Sequence, residues 1–562
     1  MFALPSPERV SLSRRLERED APVVMGAMSL ELEAGSVLPF GSRAVLVGAS
    51  GPRHARQIAA ILRQSISGVR EVVLGLRSVM VESVDRLDPA MVSAALVDYS
   101  SLEVAQEAPF DHLIEVTLDG DDLEEAMERT GLSRVSIGHE LETAVLEVAT
   151  IGFSPGFGYL TGLSGPLASL PRRPTPRPSV PAGSLAVAAS LAALYPQATP
   201  GGWWLLGRCA TQLFDVDRPQ PSLLGAGDRV RFVVVGSLAP PRAIPRRAPL
   251  SAPSDSTAVL EVLTAPPGCS LVDDGRFGMA HLGVPRGGAA DPERAGALRS
   301  LLGGAPGCVE ISGSGLIFTV LAPVEIAGLD VALAVDGRPV PSGIPLHLGT
   351  GQSLEVVSVG RGDRGYLGVV GGPVVDSVLG SIGTDSLARI GPGWLAPGDQ
   401  LGARQTASTR GGRVSLPGDD GVPAVLRVVE GPHSAALLQG IEGLADCEFT
   451  VGTSSNRVGI RLEPSLGGLG VLGEPLASLP MVTGAVQLPP DGRPIVLGVD
   501  HATLGGYPVV AVVIDADIGI LGRLTPGDRV MLQVVTTQRA AELAAERTLA
   551  LTRSVTGITP RA

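Results

Sequence analysis

The stretch IGFSPGFGYLTGLSGPLASLPRRPTPR, residues 151–177, combines the residue types that suit a pre-shaped binding edge. Glycines let a backbone approach a ligand closely, and prolines fix a loop without packing. Arginines beside such a loop match the oxygens of an anionic or planar amide ligand. The alternative is a tight turn that leaves a β-strand, with its arginines solvated. The predicted ligand-binding residues of this stretch are Phe153, Gly156, Tyr159, Arg172 and Arg177.

A serine nucleophile is not expected here, although Gly152 to Gly156 matches the G-x-S-x-G elbow of hydrolases. In that elbow the residue after the serine donates its backbone N–H to the oxyanion. Here that residue is Pro155, which has no N–H to donate.

A second glycine–aromatic loop, TPGGWWLLGR at 199–208, adds Gly201, Gly202 and Trp203 to the binding candidates. Neighbours on a strand face opposite ways, so core packing explains two adjacent tryptophans only in part. We therefore expect one of them to line a surface groove.

The candidate catalytic residues lie in the second half of the chain and, for His139, before residue 151. Asn456 can donate and accept, Arg457 can bind a carboxylate through two N–H groups, and Asp500 can act as a base or hold Mg²⁺ through water. The alternative is an Arg–Asp pair that staples two strands. His139 suits proton transfer and Glu310 is a candidate carboxylate, with structural hydrogen bonding and strand-end roles as their alternatives. The predicted catalytic residues are Asp500, His139 and Glu310, and the predicted binding residues of the second half are Arg286, Asn456, Arg457, Gln487, Thr503, Gly505, Gly506 and Tyr507.

The composition excludes several functional classes. The formal net charge of −13 disfavours nucleic acid, because a phosphate backbone binds a basic surface. All 44 basic residues are arginine, which removes a P-loop lysine, a Schiff-base lysine and a lysine for biotin attachment. The 4 cysteines are far apart and the 7 histidines form no H-E-x-x-H, so neither a disulfide framework nor a protein-built metal site is predicted. No secretory signal and no bilayer-spanning apolar run is present, which predicts a cytoplasmic protein without a membrane partner.

The length of 562 residues, with 73 glycines and 47 prolines spread between short apolar runs, predicts several domains built mainly from strands. The pattern (A/P)-G-D-(R/Q)-(V/L) at 226–230, 397–401 and 526–530 closes three strand-rich blocks and favours three related barrel or sandwich units. A common turn before a strand is the alternative. The predicted segments are a loose extension (1–24), an α+β domain (25–108), a barrel (109–236), a Pro-rich linker (237–257), a second barrel (258–410), a third barrel (411–537) and a helical tail (538–562).

Longer strings carry a family resemblance. Those of the first half are GFSPGFGYL, PRRPTPR and YPQATPGGWWLLGR, at 152–160, 171–177 and 195–208. Those of the second half are GVPRGGAAD, SNRVGIRL and DHATLGGYP, at 283–291, 455–462 and 500–508. The first half resembles the B-type subunit of 5-oxoprolinase, also known as allophanate hydrolase subunit 1. The second half resembles the C-type subunit of 5-oxoprolinase, or allophanate hydrolase subunit 2, so the chain looks like both subunits fused through the proline linker.

The resemblance implies cyclophilin-like β-barrels, so the predicted fold is mainly β with a small α+β N-terminal domain and three such barrels in tandem. It also implies a component of a bacterial ATP-dependent 5-oxoprolinase, which opens 5-oxoproline to glutamate together with a separate A-type subunit. ATP with Mg²⁺ is the implied cofactor. A small lactam or amide, the separate A-type subunit and further copies of the chain are the implied partners. Alternatives that share these motifs are an allophanate- or urea-type amide hydrolase, a carboxylase-related component, and a regulatory protein that acts on a sensor histidine kinase.

The chain departs from the pattern of the C-type subunit in several places. The family pattern is G-V-P-x-S-G-A-x-D, and this chain has Gly287 at the position of the serine. A hydroxyl that could contact a ligand is therefore absent. Two asparagines of the next helix are replaced by Arg299 and Gly304, and a Ser-Glu pair is Ser478-Leu479. The loss of that carboxylate weakens an acid–base role carried over to this position.

Overall fold

The computed structural model describes residues 30–98, 108–239, 247–360, 362–404, 412–414, 416, 423–445, 447–465, 467–471 and 476–556. The predicted loose extension at 1–24 lies outside the described residues, as do 240–246 of the linker.

An antiparallel four-stranded sheet covered by two helices forms the α+β domain. Its elements are β1 (Val37–Pro39), β2 (Ala44–Gly48), α1 (Pro52–Ser65), β3 (Val69–Leu74), β4 (Ser78–Ser83) and α2 (Pro89–Asp98), with the sheet order β1-β2-β4-β3. Helix α1 buries Ala55, Ile58, Ala59 and Leu62, whose three- and four-residue spacing puts them on one face. That face packs on Val47 and other buried residues of the sheet.

The first barrel is closed by seven strands. Its elements are β5 (Asp111–Thr117), α3 (Leu123–Thr130), α4 (Arg134–Thr143), β6 (Leu146–Ile151), β7 (Gly158–Thr161), α5 (Gly165–Ala168), β8 (Arg177–Val180), β9 (Ser184–Ala188), β10 (Leu191–Leu194), β11 (Thr199–Gly201), β12 (Trp204–Cys209) and β13 (Arg229–Val234). Strands β8 and β11 form a separate ribbon outside the barrel wall.

The middle domain consists of two sheets and is not the closed barrel that the sequence predicted. Its elements are β14 (Thr257–Thr264), β15 (Ser270–Val272), a 3-10 turn (Ala280–Leu282), α6 (Pro292–Leu301), β16 (Cys308–Ser312), β17 (Leu316–Val320), β18 (Val324–Leu329), β19 (Val331–Val335), β20 (Arg338–Val340), β21 (Leu346–Leu348), β22 (Ser353–Val359), β23 (Arg364–Val369) and β24 (Gln400–Ala403). The sheets have the orders β20-β19-β22-β17-β14-β24 and β15-β16-β23-β18-β21. Both contribute to one core, for example through Phe318 and Ile311, so the domain is a sandwich.

The C-terminal barrel is closed by seven strands and followed by the predicted helical tail. Its elements and flanks are β25 (Arg413–Val414), β26 (Ala424–Glu430), a 3-10 turn (Ser434–Ala436), α7 (Gly440–Ala445), β27 (Glu448–Val451), β28 (Gly459–Pro464), β29 (Leu479–Pro480), β30 (Ala485–Gln487), β31 (Ile495–Leu497), β32 (Leu504–Gly505), β33 (Val509–Val513), a 3-10 turn (Asp515–Asp517), α8 (Ile518–Leu521), β34 (Arg529–Val534), α9 (Thr537–Ser554) and β35 (Val555–Thr556). Arg547 of α9 pairs with Glu293 of α6, which anchors the tail to the middle domain.

The two closed barrels share one topology. Numbered 1–7 in chain order, β5, β6, β7, β9, β10, β12, β13 and β26, β27, β28, β30, β31, β33, β34 both follow the order 1-6-4-5-3-2-7 around the barrel. In each barrel the first and last strands pair in parallel, whereas β14 and β24 of the sandwich pair antiparallel. The mainly β fold class is therefore confirmed, with two of the three blocks closed as barrels.

The repeated Gly-Asp motif has a local cause in all three blocks. The carboxylates of Asp228, Asp399 and Asp528 accept hydrogen bonds of 2.7, 2.8 and 2.8 Å from the N–H of Gly225, Ala396 and Thr525, respectively. Each bond closes the turn that enters the last strand of its block. Across the ranges described above, no helix is both long and apolar enough to cross a membrane.

Candidate functional site

A cleft of about 150 Å³ lies where the α+β domain, the middle domain and the C-terminal barrel meet. Polar residues that line it are Ser42, Arg43, Glu71, Glu82, Asp273, Asp274, Arg286, Thr483, His501, Thr503 and Asp515. Both halves of the chain therefore build its wall, which is the kind of junction where ligands commonly bind.

Carboxyl groups outnumber guanidinium groups in this cleft. Burial raises the pKa of Glu71 to about 7, although the backbone N–H groups of Gly278 and Ala280 donate to its oxygens and oppose the shift. Burial also raises the pKa of Glu82, which the charge of Arg286 opposes. The cleft thus includes one carboxyl group, that of Glu71, that can exchange a proton near neutral pH.

Arg286 and Arg70 lie near Glu82 and share one aromatic ring. The guanidinium of Arg286 stacks on the Phe277 ring at 4.4 Å, and that of Arg70 lies 4.7 Å from the same ring centroid. Stacking leaves the edge of the Arg286 guanidinium available for a planar anion.

A buried charge network lies behind the cleft wall. Arg457 binds both oxygens of Asp500, with Nε to Oδ2 at 2.7 Å and Nη2 to Oδ1 at 2.9 Å. Its Nη1 lies 2.7 Å from Oε1 of Glu310, which Arg364 also contacts. Burial alone would raise the pKa of Glu310, but the charges of Arg457 and Arg364 outweigh it and lower that pKa to about 2. Glu310 is therefore an ion-pair partner, and its predicted catalytic role is not supported by this environment.

Arg276 and Asp385 extend the network into the middle domain. Arg276 is 1% exposed; its Nε donates to the carbonyl of Val378 at 3.1 Å and its Nη2 to that of Gly383. Within the described part of the chain, Arg276 Nη1 and Asp385 Oδ2 have no hydrogen-bond partner. Burial and the charge of Asp500 raise the pKa of Asp385 to about 7.

A smaller cavity of about 50 Å³ is lined in part by Arg457. Asn456 lines it from an exposed position, where its Oδ1 accepts a 2.9 Å hydrogen bond from the N–H of Val458. Such a bond, two residues along the chain, is the signature of an Asx turn. Asn456 thus shapes the loop that presents Arg457.

The glycine–aromatic loops of the first barrel form a closed contact, which corrects the predicted groove. The rings of Phe153, Phe157, Tyr159, Tyr195 and Trp203 pack edge to face at 5.0–6.0 Å. A Cβ on Gly152 would lie 2.3 Å from Leu504 of the C-terminal barrel, and one on Gly156 would lie 2.9 Å from Phe214. Gly152 permits close packing between the barrels and Gly156 close packing within the first one, and these loops are not among the cleft-lining residues.

The arginines at the end of the same stretch have different partners. Arg177 and Arg173 both pair with Asp122, which is 3% exposed, so an internal ion pair holds Arg177 in place, and its ligand contact stays a prediction. Arg172 is exposed and forms no ion pair with any residue that the structure describes. Its Nη1 lies 3.1 Å from the point where a Cβ on Gly506 would sit.

Other predicted residues are dispersed. His139 is exposed on α4, and the structure does not bring it to the cleft, whereas Thr503 and Arg286 do line it. The buried Gln487 donates to Sδ of Met481 at 3.4 Å. The remaining positions are Gly201 beside Tyr195, Gly202 beside Arg173, Gly505 beside Met481, and Tyr507, which is 41% exposed.

Comparison with known proteins accounts for both halves. Residues 36–224 match the family model described as carboxyltransferase domain, subdomain C and D, and 282–534 match carboxyltransferase domain, subdomain A and B. The chain is 32% identical over 300 residues to the C-type 5-oxoprolinase subunit of Haemophilus influenzae, an alignment covering 51% of this chain and 94% of that protein. It is 33% identical over 215 residues to the B-type subunit of the same organism, covering 36% of this chain and 98% of that protein. The chain belongs to the family of B-type and C-type 5-oxoprolinase subunits.

The family architecture extends over both halves at once. The solved protein TTHA0988 is similar over 87% of this chain and 99% of its own length, with a TM-score of 0.76 and 32% sequence identity. The predicted fusion of a B-type half and a C-type half is thereby confirmed.

Several residues of this family member's cleft were not predicted as site residues. Glu71 and Glu82 lie in ordinary strand patterns, and burial raises both pKa values; Glu71 is covered by the loop of Gly278, 207 residues later in the chain. Arg276, which lies behind the cleft wall, carried a weak signal, because it stands in the glycine-rich loop that also holds the predicted Arg286. Within the described ranges, no three His, Cys, Asp or Glu side chains converge as metal ligands.

Proposed function

We propose that this chain supplies the B-type and C-type components of an ATP-dependent 5-oxoprolinase, which opens 5-oxoproline to glutamate together with a separate A-type subunit. The observation that carries the proposal is the cleft built by both halves, each similar to one component of that enzyme over nearly its full length. A single chain holds the two halves in a fixed ratio and a fixed relative position.

The reaction needs ATP because an amide carbonyl is a poor electrophile. Transfer of the γ-phosphoryl group to the lactam oxygen activates the ring carbon, and water then adds to that carbon. The ring C–N bond breaks, the nitrogen takes up a proton, and a second water releases phosphate from the acyl phosphate. Positioning and positive charge are what a protein contributes to such a transfer.

The cleft suits the lactam better than the nucleotide. Its carboxyl groups, Glu71, Glu82, Asp273, Asp274 and Asp515, outnumber Arg43 and Arg286, so a bare triphosphate would be repelled. We assign the single carboxylate of 5-oxoproline to Arg286 and the ring to the wall that includes Thr503. Arg172, the exposed arginine beside Gly506, is our candidate for phosphate contact, with Mg²⁺ arriving on the nucleotide.

Reconstitution tests the proposal directly. The full chain is mixed with an A-type partner and ATP, and glutamate release from 5-oxoproline is measured beside ammonia release from allophanate. Glutamate release that requires both proteins and ATP supports the proposal. Ammonia release without glutamate would assign the chain to amide hydrolysis of the urea type, and turnover of neither substrate would favour the regulatory alternative.

A further inference from the structure

His501 is the one histidine among the cleft-lining residues that the structure describes. Its side chain belongs to a residue that is 6% exposed, and its Nδ1 lies 2.8 Å from the backbone carbonyl oxygen of Ala502. A carbonyl oxygen can only accept a hydrogen bond, so Nδ1 must carry the proton of the neutral imidazole. This contact fixes the tautomer and leaves the lone pair of the imidazole on Nε2.

The Nε2 atom of His501 is open to the cleft. It forms no hydrogen bond with the residues that the structure describes, and it is not among the unpaired polar atoms that are sealed from solvent. The accessible part of this largely buried imidazole therefore includes Nε2. Burial lowers the pKa of His501, and the charge of Arg286 acts in the same direction while that of Asp500 opposes it, so the imidazole is neutral at neutral pH. Nε2 can thus accept a proton.

The backbone places His501 beside Arg286. The N–H of Gly287 donates to the carbonyl of Val499 at 3.0 Å. This bond lies one residue from Arg286 and two residues from His501, so the two side chains come from adjoining segments of backbone. Because the carboxylate of 5-oxoproline is attached directly to its ring, a molecule held at Arg286 keeps its ring near the imidazole.

We propose that Nε2 of His501 is the general base and then the general acid of ring opening: it takes a proton from the water that adds to the activated ring carbon and returns it to the ring nitrogen. The inference rests on the proposed function and adds a catalytic residue to it. General acid–base catalysis by a positioned histidine is common in such proton transfers.

The proton and the electrons balance over two steps. The water oxygen bonds to the ring carbon, the second pair of the C=N bond moves onto nitrogen, and the proton of the broken O–H bond passes to Nε2. The C–N bond then breaks, and the nitrogen keeps the bonding pair and receives the proton from Nε2. The new hydroxyl releases its own proton to solvent, and its oxygen becomes the carbonyl oxygen of the acyl phosphate.

Glu71 is less suited to this role, although it can exchange a proton near neutral pH. Its two oxygens already accept hydrogen bonds from the backbone N–H groups of Gly278 and Ala280. The Nε2 atom of His501 has no such partner in the described part of the chain, so it is the better placed proton acceptor.

The first turnover of the reconstituted complex separates this role from a structural one. With the full chain, an A-type partner, ATP and 5-oxoproline, ADP forms when the phosphoryl group is transferred and glutamate forms when the ring opens. His501→Gln is expected to keep the rate of ADP formation and to lower that of glutamate at least about 100-fold, because glutamine cannot take up the proton. Equal loss of both products, or unchanged glutamate formation, would overturn the inference.

His347→Gln is the control, since the side chain of His347 is 79% exposed and does not line the cleft. If His501→Gln does not fold, diethyl pyrocarbonate decides on the unaltered chain, because it acylates unprotonated imidazole nitrogens. Loss of glutamate formation should follow acylation of His501, and 5-oxoproline should protect that residue. An unmodified His501, or a modified one with full glutamate formation, would overturn the inference. Absence of glutamate from the unaltered chain and its partner would refute the proposed function as well, whereas full glutamate release by His501→Gln discards this inference alone.

Discussion

Arg457 and Asp500 form a two-bond ion pair, Nε to Oδ2 at 2.7 Å and Nη2 to Oδ1 at 2.9 Å, that joins two loops of the C-terminal barrel. The same guanidinium reaches Glu310 on β16 of the middle domain and the carbonyl of Gly288. One buried side chain therefore connects the C-terminal barrel, the sandwich and the loop that forms part of the cleft wall.

Removal of this guanidinium should destabilise the second half strongly. Arg457→Met keeps much of the side-chain length but leaves Glu310 and Asp500 buried without their main counter-charge, which costs about 3–5 kcal/mol. Urea unfolding measures the loss. Arg529→Met is the control, because its pair with Glu448 lies at the surface and contributes little. Equal midpoints for both variants would contradict the account.

The stability of the protein should depend on pH through Glu71. The folded state holds this proton up to about pH 7, whereas an unfolded chain releases it near the ordinary value of 4.5. Stability from this group therefore falls as pH rises from about 4.5 to about 7 and is level above that. Glu71→Gln removes the charge and keeps an oxygen acceptor, so its melting temperature should rise relative to the unaltered chain across this window.

The test for Glu71 is how the difference in melting temperature between Glu71→Gln and the unaltered chain changes with pH. Melting curves of Glu71→Gln, the unaltered chain and the exposed control Glu124→Gln are compared from about pH 5 to about pH 8. A difference between Glu71→Gln and the unaltered chain that stays constant over this range would show that Glu71 is ionised in the fold.

Sequence patterns located the local elements of the α+β domain well. Its sequence predicts a strand at 69–74 and a helix at 89–97, and the structure has β3 at Val69–Leu74 and α2 at Pro89–Asp98. Helix α4 was missed, although Ser133 caps it by accepting from the N–H of Ser136 and Ile137 and Leu141 share its buried face. A short helix with a weak apolar stripe is hard to separate from a loop by pattern alone.

Barrel closure and the site could not be predicted in the same way. In both closed barrels the first and last strands pair in parallel, as β26 and β34 do, and no local pattern encodes that pairing. Arg457 and Glu310 are 147 residues apart, so their ion pair arises only from tertiary packing. The sequence identifies Arg457 and Asp500 as candidate site residues. It leaves open whether they bind a ligand or form an ion pair with each other.

The close contact between the two barrels should not tolerate a side chain at Gly152. Its Cβ would lie 2.3 Å from Leu504 Cγ and 3.2 Å from Thr503 Oγ1, so Gly152→Ala forces the barrels to shift. Overpacking of this kind costs about 1–3 kcal/mol. The matched control is Gly236→Ala, which has nothing within 4 Å of the new Cβ. Identical unfolding of the two variants would mean that the barrels do not meet at Gly152.

Arg172 and Arg177 should behave differently despite their proximity in sequence. Arg172→Ala is expected to lower kcat/KM for ATP in the reconstituted complex at least about tenfold without loss of stability, since its charge has no described internal partner. Arg177→Ala is expected to lower stability, because it removes an ion pair from the buried Asp122. Exposed Arg208 supplies an alanine control for the kinetic arm. Unchanged ATP kinetics in Arg172→Ala would remove that residue from the nucleotide site.

The most direct test of the central claim is a crystal structure of the full chain with 5-oxoproline. The ring is expected in the cleft between the halves, with its carboxylate at Arg286. A ring bound elsewhere on the chain, with this cleft empty at saturating ligand, would contradict it.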